Sequence, residues 1–194
     1  MKPLTHLLLS AIVAMASTTS WAEVRTTGPR LEPSLEVRGT RVQLNGAGTR
    51  YRGPFKVYAA GLYTTRKAAT PEEVLAAAGT QRLAVTMLRD IDAGELGKLF
   101  VRSVEDNMDR TAFSRLVPGL MRMSQIFSDN KKLATGDTFT IDWIPGIGTV
   151  ISVRGKPQGE PFREPEFYAA LMRIWLGPTP ADWRLKEHLL GREA

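Results

Sequence analysis

Asn45–Thr64 reads NGAGTRYRGPFKVYAAGLYT, and the fold is decided there. The stretch opens with Gly46 and Gly48, which suit a glycine-rich turn over Asn45–Gly48, and Arg50 stands directly behind them. From Phe55 to Tyr63 the aromatic and branched residues predict a strand. Alternation puts Phe55, Val57 and Tyr63 on one face and Tyr58 and Leu62 on the other, so both faces are apolar. A strand of that kind belongs between two layers. In its middle Ala59, Ala60 and Gly61 leave little side-chain volume, so a helix or a ligand must come close.

On the N-terminal side, Leu35–Leu44 reads as a hairpin turning at Gly39, preceded by an irregular arm over Glu23–Ser34. Residues 1–22 combine a positive Lys2, an apolar Leu7–Ala16 and a small-x-small Ser20-Trp21-Ala22, the pattern of a secretory signal peptide cut after Ala22. The apolar run is too short to span a bilayer. Residues 23–194 are then expected to form one domain, delivered to the periplasm or secreted, with no transmembrane anchor. There is no cysteine, so stability must come from an ordinary core.

On the C-terminal side, Thr70, Pro71 and Glu73 form the start signal of a short helix that ends before Gly79. Arg82–Leu88 alternates as a strand. Asp92 and Glu95 then cap a long helix carrying an apolar stripe of Leu96, Leu99, Phe100, Val104 and Met108. A second helical region over Thr111–Phe127 should break or kink at Pro118-Gly119. Gly136–Arg154 reads as a hairpin around a PGIG turn. Two helices close the chain, one over Glu164–Leu176 and one capped by Thr179 with Pro180 at its first position. The sum is α+β: an antiparallel sheet with helices layered on one face.

Composition removes several functions. His6 falls in the leader, which leaves His188 alone in the last turn of the final helix, where a surface role suits it. With no cysteine and one histidine, structural zinc, thiol catalysis and histidine-dependent triads are excluded. No Walker or GxGxxG pattern appears, so no cofactor is expected. The net charge of +6 contains no run of five like charges, and nucleic acid is not expected as a partner. In an exported protein that charge fits a solvated surface, or peripheral contact with anionic lipid. A monomer is expected. Arg50 remains, to be partnered either by an internal carboxylate such as Asp142 or Asp90 or by a bound anion.

Taken in order, GAG-x-R (46–50), KVYAAGLY (56–63), RLAVTMLRDI (82–91), GDTFTIDWIPGIGTVISVRG (136–155) and EFYAALMRIWLG (166–177) resemble the chalcone isomerase-like superfamily, in its secreted bacterial branch. The resemblance implies an open-faced β-sandwich of the chalcone isomerase type. It gives Arg50 the role of the arginine that binds an anionic substrate or intermediate. By the same resemblance a threonine of the family falls on Tyr58, and a Tyr-x-x-Lys-x-x-x-Asn helix pattern falls on Phe100, Ser103 and Asn107. A further threonine falls near Ile174. Losing the tyrosine hydroxyl and the lysine charge argues against chalcone isomerase activity. Fatty-acid-binding members of the superfamily hold a carboxylate with this arginine and a tyrosine, which Arg50 and Tyr58 would supply. Phe100, Val104, Met121, Met123 and Trp175 are then the candidates for a tail pocket. The expected function is a non-catalytic binding protein for a small amphipathic anion such as a fatty acid. The alternatives are an isomerase-type intramolecular lyase with Tyr58 as acid, or an envelope protein that meets a partner through Ile174–Gly177 or its basic surface.

Overall fold

The computed structural model describes residues 31–76 and 78–193, so the expected leader lies outside the described residues. Seven antiparallel strands form one curled sheet: β1 (Ser34–Val37), β2 (Thr40–Arg52), β3 (Phe55–Thr64), β4 (Gln81–Met87), β7 (Thr138–Ile144), β8 (Gly148–Val153) and β9 (Lys156–Pro157). They pair in that order. Two short strands, β5 (Ile91–Asp92) and β6 (Lys132–Leu133), form a separate ladder. The helices are α1 (Pro71–Ala76), α2 (Ala93–Glu105), α3 (Arg110–Asp129), α4 (Pro165–Leu176) and α5 (Trp183–Leu189). Among the described residues no helix is long and apolar enough to cross a membrane.

The glycine-rich segment is not a turn. Asn45–Gly48 lies within β2, where Gly46, Ala47 and Gly48 pair with Leu62, Gly61 and Ala60 of β3. The chain reverses later, at Gly53-Pro54, between the paired residues Arg52 and Phe55. Gly53 takes φ +58° there, a value most side chains resist. Gly46 and Gly48 are small for a different reason: α5 lies directly on them. A Cβ built on Gly46 would stand 2.0 Å from the His188 carbonyl oxygen, and one on Gly48 would stand 2.8 Å from His188 Nδ1. The buried Asn45 amide fixes the same junction, donating to the Ala68 and Leu189 carbonyls and accepting from Ala68 N–H.

Helix punctuation follows the expected chemistry at two of the starts. Glu73 N–H donates to Thr70 Oγ1 at 3.2 Å while the Glu73 carboxylate accepts from Thr70 N–H, a reciprocal capping box. Asp92 accepts from Glu95 N–H at 2.8 Å. Two expected boundaries are not found where the sequence puts them. α3 runs unbroken through Pro118. Pro118 and Ser114 are both exposed, so the carbonyl that the proline leaves unbonded faces water and the helix continues. The last helix is capped by Asp182 rather than Thr179: its carboxylate accepts from Leu185 N–H at 3.0 Å. Thr179 N–H is held instead by Asn107 Oδ1, and Ala181 N–H by the Ile174 carbonyl.

The main core lies between the sheet and the helices. It joins Leu62, Leu83, Val85, Phe139 and Ile141 from the strands to Phe100, Phe127, Leu171 and Trp175 from the helices. A smaller cluster of Val37, Val42, Tyr63, Ile144 and Val150 covers part of the other sheet face. This is why β3 is apolar on both sides.

Candidate functional site

Arg50 and Tyr58 are cross-strand partners in β2 and β3, so their side chains leave the sheet together on the helix side. Tyr58 is fully buried. Its hydroxyl accepts a 2.8 Å hydrogen bond from Trp175 Nε1 of α4, and the Arg50 guanidinium lies 5.6 Å from its ring centroid. Burial pushes the Tyr58 pKa above that of an ordinary tyrosine, and the Arg50 charge opposes that shift only in part. The phenol therefore stays protonated at neutral pH. With Trp175 occupying one lone pair, the hydroxyl hydrogen is free to be donated.

Neither internal carboxylate expected as a partner for Arg50 reaches it. Asp142 receives Arg82 in a two-pronged contact, 2.7 Å from Nε and 2.6 Å from Nη2. Asp90 is taken by Lys132 at 2.6 Å and by Thr135. Arg50 forms no ion pair with any described residue, and its buried Nε has no hydrogen-bond partner. Asp182 is close enough to act on Tyr58 electrostatically, but its oxygens accept from Tyr51 N–H and Leu185 N–H.

The other expected site residues divide into two groups. Phe100 joins the site through Trp175, ring to ring at 5.4 Å, and also meets Phe127 at 5.3 Å and Phe139 at 5.8 Å. These rings fill the layer beneath Tyr58. Val104 and Met123 are buried in the same core. Met121 is 62% exposed and lines nothing internal. Ser103, Asn107 and Ile174 serve a different junction. Asn107 donates to the Ser103 and Thr179 carbonyls and accepts from Thr179 N–H, which uses both of its amide N–H groups. Ile174 is buried in the core, where its carbonyl receives Ala181 N–H. None of these contacts reaches Arg50. Ile174–Gly177 is interior, so that segment offers no surface for a protein partner.

Two cavities lined by described residues lie elsewhere, one of about 570 Å³ between α3 and Pro161–Phe167 and one of about 290 Å³ at Thr64–Glu73. Trp175 is the residue whose role in the site reasoning from the sequence missed, since sequence suggests only a pocket wall. Its long-range bond to Tyr58, 117 positions away, leaves no local signal.

Residues 23–191 match a family model described as chalcone isomerase-like. No curated protein sequence matches the chain. Among solved structures, the fatty-acid binding protein of Arabidopsis thaliana superposes with a TM-score of 0.59. The match covers 81% of this chain and 95% of that one, at 16% sequence identity.

Proposed function

The chain belongs to the chalcone isomerase-like family, and we propose that it is a non-catalytic, exported binding protein for a small amphipathic anion, a fatty acid being the leading class. The observation that carries this reading is Arg50: a guanidinium with a buried, unpartnered Nε beside a buried phenol. A half-buried cation with no anionic partner is costly, and a carboxylate is its natural complement because it accepts two parallel N–H bonds. Tyr58 would add an O–H donor, held in orientation by Trp175. The fatty-acid binding protein of similar fold supports the ligand class. A tail of several carbons gains about 0.8 kcal/mol per buried CH₂. To pass beneath Tyr58 it must open the Phe100–Trp175 contact, so long chains should bind more slowly than short ones.

The raised Tyr58 pKa weighs against the isomerase alternative, since such a phenol is a poor proton donor to an intermediate. The test is a titration of saturated fatty acids of increasing length, read through tryptophan emission because Trp175 touches the site. Arg50→Ala should weaken binding by about 2–5 kcal/mol, the usual effect of truncating one partner of a buried charge pair. Unchanged affinity in that variant would end the head-group assignment.

A further inference from the structure

Three of the large apolar side chains that face solvent gather at one end of the sheet. Tyr51 is 40% exposed, Phe55 61% and Trp183 60%. They are neighbours through the backbone. Arg52 and Phe55 flank the Gly53-Pro54 turn as a cross-strand pair, and Tyr51 N–H donates at 3.0 Å to Asp182, the residue before Trp183. Cations surround them. Arg89 lies over the Phe55 ring at 5.7 Å and Lys186 over the Trp183 ring at 4.9 Å. Arg52, Lys56, Arg89 and Arg184 are exposed, and none of them is in an ion pair with a described residue. The acidic groups nearby are already engaged: Asp182 by two backbone N–H groups, Asp90 by Lys132.

Exposed aromatic rings interleaved with unpaired cations match the boundary between lipid head groups and acyl chains. Aromatic bodies insert shallowly there while guanidinium and ammonium groups meet phosphates. Tyr51 and Phe55 leave opposite faces of the β2–β3 turn, so the turn carries an exposed ring on each side. Trp183 stands beside it at the start of α5, which is more than scattered surface residues would place at one end. We infer that this end, formed by the β2–β3 turn and the start of α5, docks on the surface of an anionic phospholipid bilayer. Charge complementarity selects the bilayer's sign, and the rings select a bilayer over a soluble polyanion. Arg50 lies half-buried at the same end, just before Tyr51, so docking there would bring this end of the sheet to the membrane. The docking surface does not depend on what Arg50 holds.

The probe is co-sedimentation of the purified protein with phosphatidylglycerol-rich vesicles, compared with pure phosphatidylcholine vesicles. Binding is expected to the first, to fall as salt rises, and to shift Trp183 emission to the blue. Arg52→Gln with Arg89→Gln should reduce partitioning by roughly tenfold or more, and Phe55→Ser with Trp183→Ser by a similar factor. All four positions are exposed, so folding is retained and is checked by circular dichroism. Equal partitioning to both vesicle types, or wild-type partitioning by both double variants, overturns the inference. So does loss of binding in Arg115→Gln with Arg122→Gln on α3 while the turn variants still bind. The turn variants should keep solution affinity for a fatty acid, so failure here is distinguishable from failure of the head-group reading.

Discussion

Two arginines on the same sheet live in opposite circumstances. Arg82 of β4 meets Asp142 through two short bonds on the face that carries the smaller apolar cluster. Arg50 of β2 stands on the helix side with a buried Nε that bonds to nothing. The chain had the means to close the second site as it closed the first. In the Arg82 region the guanidinium and the carboxylate satisfy each other within the protein. In the Arg50 region no carboxylate answers the guanidinium, and the phenol beside it is held by an indole. The difference teaches that pairing, rather than burial or charge alone, separates an arginine that holds a fold from one that, on the function proposed above, is left for a ligand.

That contrast yields graded expectations. Arg82→Ala should be the most damaging, at about 3–5 kcal/mol, because it leaves Asp142 buried and uncompensated. Chemical denaturation measures it, and replacing both partners by apolar residues should recover most of the loss. Tyr58→Phe comes next. It removes the acceptor of Trp175 Nε1–H and should cost about 1–3 kcal/mol, with retained folding visible in the near-ultraviolet spectrum. Arg50→Met should change stability by no more than about 0.5 kcal/mol or raise it, since no carboxylate is orphaned and Tyr58 keeps its bond from Trp175. Large destabilisation there would make Arg50 a second Arg82.

The smallest effect is on pH. Lys132, with help from Thr135, holds Asp90 well below the usual carboxylate range, at about 2 against an ordinary 3.8. A depressed folded pKa contributes stability above pH about 4 that disappears as pH falls towards 2. Asp90→Asn should therefore flatten stability across that window and leave neutral-pH stability nearly unchanged, because the pair is exposed.

Much of this molecule is legible in its residues, and the reasons are local. The Thr70–Glu73 box and the Asp92 cap are satisfied within four positions, so spacing alone reveals them. The two-faced Phe55–Tyr63 strand announces two layers, and both are present. What spacing misread depended on distant neighbours. The glycines at 46 and 48 look like a turn until α5, about 140 positions on, is seen to rest on them. Pro118 looks like a helix break until its exposed setting is seen to leave the Ser114 carbonyl to water. Thr179 is drawn from its expected capping role by Asn107, 72 positions earlier. The site divides in the same way. Arg50 and Tyr58 sit on strands joined by a short turn, so one stretch of sequence places them together. Asn107 and Ile174 enter only through resemblance to a family pattern, and their bonds secure the α4–α5 junction.

Native mass spectrometry of the protein recovered from a bacterial periplasm without detergent tests the central claim most directly. A bound species of fatty-acid mass, present in the wild type and absent from a folded Arg50→Ala variant, is the predicted result. An empty wild-type protein that also refuses added fatty acids, or an Arg50→Ala variant that carries the same bound mass, would contradict it.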